Sequence, residues 1–148
     1  MSATDRLYPN RPYLAASVAV FRDRRVLVAS RTQAPLEALY SLPGGLVEPG
    51  ETVAQAALRE LREEVAVEAE LVGFLRPVEI IARDPDGRVM HHFVVLAHVA
   101  RWLAGEGTIG LEAGDVRWIE EDEVESLPTT PGLPDTLRAA FAFMAGRT

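Results

Sequence analysis

The most constraining feature of the sequence is the stretch from Gly45 to Val67, in which a glycine-rich segment leads into a short acidic helix. At 3.6 residues per turn, Glu60, Glu63 and Glu64 fall on one narrow arc of that helix, at positions i, i+3 and i+4. Carboxylates this close together repel one another unless a cation lies against them. Because hard divalent cations prefer oxygen ligands, the arc predicts a metal site and, with it, phosphate chemistry.

The boundaries and faces of the helix can also be predicted. Thr52 followed three residues later by Gln55 is a capping-box pattern, which predicts that the helix starts at Val53. Small side chains beside the acidic arc, Ala56 and Ala57, are predicted to let a ligand approach the helix closely. The face predicted to be buried is separate from the acidic arc and consists of Ala54, Leu58, Leu61 and Val65.

A purely structural interpretation of this helix competes with the metal site. Glutamate and arginine on an amphipathic helix most often form a solvated face with weak ion pairs. For the run from Arg59 to Glu64 alone, that interpretation is favoured. The preceding segment reverses the balance, because the glycine turn at Gly44 and Gly45 and the turn around Gly50 stand at fixed distances before the helix.

Together these residues resemble the Nudix box, whose pattern is G-x5-E-x7-R-E-U-x-E-E-x-G-U, with U an apolar residue. One position departs from the pattern, since Ala66 stands where the family has a glycine after the helix. An alanine there is predicted to cost about 1 kcal/mol or to move the helix end by a residue. The positions that match in register are Gly45, Glu51, Arg59, Glu60, Leu61, Glu63, Glu64 and Val67.

The remainder of the 148-residue chain predicts one α+β domain over residues 13–148, preceded by an N-terminal arm over residues 1–12. The resemblance implies more, namely a Nudix-type α/β/α sandwich with a mixed central sheet and a catalytic loop-helix-loop. Strands are predicted over residues 14–21, 25–31, 92–102 and 116–119, with residues 68–83 forming two strands broken near Pro77. Turns or loops are predicted at 22–24, 32–39, 84–87 and 104–114, and further helices at 121–127 and 134–145.

Composition excludes several classes of function. The net charge of −7 argues against binding to a nucleic acid duplex. No apolar run is long enough to cross a membrane, and the first residues lack the pattern of a secretory signal. The absence of cysteine excludes disulfides, thiolate metal sites and a cysteine nucleophile. A cytoplasmic location is therefore expected.

The resemblance implies a metal-dependent hydrolase that cleaves the diphosphate bond of a nucleoside diphosphate linked to another group. Mg²⁺ is the expected ion, with Mn²⁺ as an alternative. The family pattern assigns Glu60 and Glu64 as metal ligands, Glu63 as a ligand or base, and Arg59 as an orienting residue. Two further positions are the carbonyl of Gly44, a candidate ligand, and Glu51, which either ligates or only shapes the loop.

By analogy with the family, a further carboxylate comes from the loop before the last strand of the sheet. Glu106, Glu112 and Asp115 are the acids near this loop. Glu112 lies six residues before Trp118, the spacing expected by analogy, and is the candidate for assisting the base. The alternative is that Glu112 is an ordinary loop glutamate.

Three residues outside the box are candidate substrate contacts. Arg31 ends a predicted strand and can grip phosphate, although a solvent-facing arginine is equally consistent. Alternation along a strand would turn one imidazole of the pair His91 and His92 inward, and His92 is the candidate, although a structural histidine is favoured. Tyr40 can stack on a base; for Trp102 and Trp118, core packing is favoured.

The leading substrate hypothesis is a small nucleotide of the ADP-ribose type or a related nucleotide sugar. A nucleoside triphosphate, as in pool-cleaning pyrophosphohydrolases, is a close second, and a non-catalytic nucleotide-sensing module is a third reading. A prenyl diphosphate isomerase would need a cysteine in the site, and there is none. A homodimer is compatible with the resemblance. The apolar C-terminal helix, with Phe141, Phe143 and Met144, either contributes to such a dimer or packs on its own sheet.

Overall fold

The computed structural model describes residues 6–32, 38–108 and 113–147, which form one mixed sheet with helices on both faces. Glu112, the candidate for assisting the base, lies outside the described residues. The strands are β1 (Tyr13–Arg22), β2 (Arg25–Arg31), β3 (Tyr40–Ser41), β4 (Gly44–Leu46), β5 (Glu68–Arg83), β6 (Val89–Ala104) and β7 (Ala113–Ile119). The helices are α1 (Val53–Val65) and α2 (Leu133–Ala145), with a 3-10 helix at Glu121–Ser126.

The seven strands form one sheet in the order β3-β2-β1-β6-β5, with β4 paired to β1 and β7 paired to β2. Strands β1 and β6 run parallel, from Tyr13 opposite Phe93 to Phe21 opposite Arg101, and the other pairings are antiparallel. Helix α1 packs on one face through a buried cluster that includes Leu61 and Val18. Helix α2 packs on the opposite face. These layers confirm the predicted α/β/α sandwich.

Helix α1 begins where the capping box predicted. The hydroxyl of Thr52 accepts a hydrogen bond from the backbone N–H of Gln55 at 3.1 Å, and the Gln55 side chain accepts one from the N–H of Thr52 at 2.9 Å. These two bonds satisfy backbone donors that a helix N-terminus would otherwise leave without partners. The helix ends at Val65, and Ala66 adopts a left-handed conformation with φ 56° and ψ 41°. Ala66 therefore occupies the position that favours glycine.

The prediction for the small residues of α1 is wrong. Ala56 and Ala57 are fully buried in the cluster between α1 and the sheet, so they permit close packing of the helix on the strands rather than approach of a ligand. Of the face predicted to be buried, Leu61 and Val65 are confirmed. Ala54 and Leu58 are only half-buried, and Leu58 lies at the margin of the same cluster.

Two predictions about strands are also corrected. Residues 68–83 form the continuous strand β5, with no break at Pro77. Because β5 is the outermost strand, the missing N–H of Pro77 is tolerated, and Pro77 keeps regular register opposite Leu96 of β6. The glycine bend is instead the short strand β4, in which Gly44 pairs with Ser17 of β1.

Helix α2 and the segment before β1 both contact the sheet or its hairpin. Phe141, Phe143 and Met144 of α2 pack against the buried cluster on their own sheet, which favours the second of the two alternatives left open for this helix. At the other end, Tyr8 donates a hydrogen bond from its hydroxyl to Asp84 at 2.9 Å. None of the helices in the described part of the chain is long and apolar enough to span a membrane.

Candidate active site

The two glycines of β4 let this strand lie close to strand β1 and to helix α1. A Cβ atom at Gly44 would lie 2.5 Å from the carbonyl oxygen of Ala16, on the neighbouring strand. A Cβ at Gly45 would lie 2.5 Å from both Cδ and Oε1 of Glu60. Any side chain at Gly45 would therefore occupy the space that the carboxylate of Glu60 now takes.

Two of the three glutamates on the acidic arc face β4. The carboxylate of Glu60 lies against Gly45, and its side chain is 15% exposed. One turn later, Oε1 of Glu64 accepts a hydrogen bond from the backbone N–H of Gly44 at 3.3 Å. Glu63 is 59% exposed and turns toward solvent. The geometry thus brings Glu60 and Glu64 to the same short strand and leaves Glu63 accessible.

Arg59 is the centre of a hydrogen-bond network that joins the loop to the helix. Its Nε donates to Oε2 of Glu51 at 2.7 Å, and its Nη2 donates to Oε1 of Glu51 at 3.0 Å and to the carbonyl of Leu46 at 3.0 Å. Its Nη1 donates to Oε1 of Glu60 at 2.9 Å and to Oε2 of Glu63 at 3.1 Å. Each of these bonds to a carboxylate is charge-assisted, and together they fix the orientation of the arc.

The network shifts two pKa values in opposite directions. Hydrogen bonds from Arg59 and from the backbone N–H of Glu48 lower the pKa of Glu51 from 4.5 to about 2. The hydrogen bond to Glu51, followed by that to Glu60, raises the pKa of Arg59 above its ordinary value. Both groups are therefore ionised at neutral pH. In this arrangement Glu51 holds Arg59 and the loop, and a role for it as a metal ligand stays a prediction.

The donor set fits Mg²⁺ or Mn²⁺ in chemistry and number. Among the described residues, no group of three or more acidic or histidine side chains converges in a ready-made metal cage. Mg²⁺ does not need one, because it keeps several waters and is usually held by one or two carboxylates together with the oxygens of a phosphate substrate. Glu60 and Glu64 would supply those carboxylates. The Gly44 carbonyl stays a predicted ligand.

The candidate substrate contacts are dispersed. Arg31 is exposed at the end of β2. His92 is half-buried on β6, opposite Ile81 of β5. Tyr40 is only 6% exposed and packs on the face of the sheet that carries α2, where its hydroxyl donates to Asp115. The structure does not bring Tyr40 to the box, and substrate contact by any of the three stays a prediction.

The contacts that anchor the start of the loop before β7 were not predicted from the sequence. Trp118 donates from Nε1 to the carbonyl of Glu106 at 3.0 Å, and Arg22 donates from Nη1 to Oε2 of Glu106 at 2.7 Å. The guanidinium of Arg22 also stacks over Trp102, with Cζ 3.9 Å from the ring centroid. Glu106 and Asp115, the other acids considered with Glu112, are thus held by Arg22 and by Tyr40 and Arg117. A signal was present in the two tryptophans that flank this loop.

The chain is similar in sequence and in fold to proteins of the Nudix family. The sequence model of the NUDIX domain matches residues 11–140. The chain is 32% identical to the CTP pyrophosphohydrolase of Escherichia coli, covering 85% of this chain and 89% of that protein. It is 29% identical to the ADP-ribose pyrophosphatase of Methanocaldococcus jannaschii, covering 82% and 69%. The crystal structure of a MutT NUDIX hydrolase from Burkholderia pseudomallei superposes with a TM-score of 0.76 at 26% identity, covering 88% and 98%.

Proposed function

The chain belongs to the Nudix family of pyrophosphohydrolases, and we propose that it hydrolyses the diphosphate bond of a nucleoside diphosphate linked to another group, with ADP-ribose or a related nucleotide sugar as its substrate. The observation that carries the proposal is the convergence of Glu60 and Glu64 on the glycines of β4. Two carboxylates that meet one short strand can supply the protein ligands of a hydrated cation, while a diphosphate supplies the remaining oxygens.

Each residue of the arc has a distinct role in this proposal. Glu60 and Glu64 would hold the divalent ion, which when bound neutralises phosphoryl charge and makes the attacking water more acidic. Glu63, the most accessible of the three, would accept the proton of that water or complete the ligand set. Arg59 would keep the carboxylates oriented through its hydrogen bonds to Glu60 and Glu63.

The preference for a nucleotide sugar rests on the similarity to the ADP-ribose pyrophosphatase of M. jannaschii. A second candidate is a nucleoside triphosphate, cleaved to a monophosphate and pyrophosphate. The similarity to the CTP pyrophosphohydrolase of E. coli supports it, because that protein matches at higher identity and over more of its own length. The products separate the two candidates, since ADP-ribose would yield AMP and ribose 5-phosphate without any pyrophosphate.

The experiment is a panel of diphosphates and triphosphates incubated with Mg²⁺ or Mn²⁺, with products identified by mass. Glu64→Gln and Glu63→Gln are expected to lose turnover by roughly 10²-fold or more, because each removes a charge needed at the reacting centre. Glu70→Gln, an exposed residue of β5, is the matched control and should retain turnover. Equal turnover in the parent and in both box variants would contradict the proposed mechanism.

A non-catalytic nucleotide sensor is the alternative of a different class. All the acids of the box are present in this chain, which disfavours that alternative. Calorimetry with the same panel distinguishes the two, since a sensor would bind a nucleotide and leave it intact in the presence of metal.

A further inference from the structure

The far half of strand β5 is an exposed edge with apolar side chains. β5 is the last strand in the order of the sheet, so among the described strands none pairs with its outer side. Helix α2 covers its first half, where Gly73 lies against Phe143 and Leu75 packs on the cluster beneath α2. Beyond that point Ile80 and Ile81 are 45% and 48% exposed. Edges of this kind are templates for pairing with another strand.

Two prolines define the length of this edge. Pro77 and Pro85 bound residues 78–84, the stretch in which every residue retains its backbone N–H. Proline occurs in an outer strand where the position of its missing N–H faces away from the neighbouring strand. With Pro77 in that orientation, alternation turns the backbone groups of Glu79 and Ile81 outward as well. The alternation of β5 continues to Arg83, because the register shift between Ala82 and Arg83 adds a residue to β6 and not to β5. These three residues therefore offer donors and acceptors to a further strand.

The side chains along this edge are complementary to themselves. Glu79 and Arg83 are both exposed, and they flank Ile81 on one face of the strand. If two copies of β5 run antiparallel and are centred on Ile81, Glu79 of each copy lies opposite Arg83 of the other. Arg83 already donates one hydrogen bond to the carbonyl of Gly87 at 3.0 Å, and the guanidinium has further N–H groups to offer. In this register the contact consists of two Glu79–Arg83 pairs of opposite charge, one on each side of the two Ile81 side chains.

We propose that a second copy of this chain pairs with residues 78–84 through the outer edge of β5, forming a two-fold dimer with one sheet continuous across both subunits. An isologous contact requires a surface that is complementary to itself, and the order Glu79, Ile81, Arg83 satisfies that requirement about a single axis. A foreign strand would gain no comparable match from this symmetry. The contact is separate from the carboxylates of α1, so the proposal does not depend on the substrate.

Charge reversal tests the register directly, with mass in solution measured by light scattering after gel filtration. The parent protein is expected at twice the 16.2 kDa of one chain. Glu79→Arg alone places arginine opposite arginine, and Arg83→Glu alone places glutamate opposite glutamate, so each variant is expected at the mass of one chain. Mixing the two variants restores opposite charges at both pairs, and a heterodimer at the doubled mass is expected.

Arg76→Glu is the matched control, because it reverses a charge on the same strand outside the proposed segment, and it should remain dimeric. Circular dichroism and thermal melting of each variant establish that loss of the dimer is not loss of the fold. A parent protein that is monomeric at high micromolar concentration would overturn the proposal. So would dissociation by Arg76→Glu, or two folded single variants that stay dimeric or fail to associate when mixed.

Discussion

Arg59 donates hydrogen bonds to both carboxylate oxygens of Glu51, from Nε to Oε2 at 2.7 Å and from Nη2 to Oε1 at 3.0 Å. This pair joins the turn before α1 to the middle of the helix, eight residues later. Because the guanidinium is planar and its donors form a fixed fork, the contact sets the angle between loop and helix as well as the distance. The position of the acidic arc relative to β4 follows from that angle.

The Glu51–Arg59 pair predicts a defined dependence of stability on pH. The pKa of Glu51 is lowered from 4.5 to about 2 in the folded state, so the unfolded state binds the proton more readily. The stabilising contribution is therefore complete above the ordinary pKa of 4.5 and is lost as the pH falls through about 2. In urea unfolding, Glu51→Gln should be less stable than the parent at pH 7, and the difference should shrink on acidification.

A control for that series is Glu70→Gln, which changes an exposed glutamate of β5 and should follow the parent at each pH. A gap between Glu51→Gln and the parent that stays constant from neutral to acidic pH would contradict the role assigned to ionised Glu51.

Gly45→Ala should impair activity far more than stability. The added Cβ would fall 2.5 Å from Oε1 of Glu60, at the far end of a flexible side chain that can move aside. The fold would survive while the carboxylate shifts, and a displacement of about 1 Å at a reacting centre can cost roughly 10²-fold in turnover. Steady-state kinetics with Mg²⁺ and thermal melting measure the two effects separately.

Gly146→Ala is the control for this substitution, since a Cβ added at Gly146 would come no closer than 3.8 Å to any atom beyond its chain neighbours and the φ of Gly146 is −75°. Parent-like turnover in Gly45→Ala would show that the carboxylate of Glu60 does not need its present position.

Ala56→Leu should destabilise the protein by about 1–3 kcal/mol, because Ala56 is fully buried between α1 and the sheet and the larger side chain would overpack that contact. Urea unfolding is the measurement. The same substitution at Ala142, on the exposed side of α2, is expected to change stability by less than about 0.5 kcal/mol. Equal stability of the two variants would restore the interpretation that Ala56 faces open space.

Sequence patterns predicted correctly those structural features that depend on interactions between residues close together in the chain. The start of α1 depends on Thr52 and Gln55, three residues apart, and the Nudix box fixes the spacing from Gly45 to Glu64. The break expected at Pro77 was wrong because the tolerance of a strand for proline depends on whether the strand lies at the edge of the sheet. That position is set by the pairing of β1 with β6, whose partners are about 80 residues apart in the chain.

The same distinction applies to the candidate site. The acidic arc follows from helical periodicity, whereas the contact of Glu60 with Gly45 requires the strand to lie against the helix. Ala56 and Ala57 were misassigned because a helical projection gives the angle between residues but not which neighbouring layer each one meets. For Tyr40, the sequence did not show to which face of the sheet strand β3 turns the ring.

The left-handed conformation of Ala66, at the end of α1, leads to a prediction about stability. Ala66 has φ 56°, and its N–H donates to the carbonyl of Arg62, so the helix closes in the way that usually selects glycine. An alanine in this conformation brings its Cβ close to the following backbone, a strain that glycine does not have. Ala66→Gly is therefore expected to stabilise the protein by about 1 kcal/mol, which urea unfolding can resolve. Ala142→Gly, within α2, should instead destabilise it by about 1 kcal/mol, because there glycine only adds freedom to the unfolded chain. If both variants lose stability alike, Ala66 is not strained, and the departure from the family pattern carries no energetic cost.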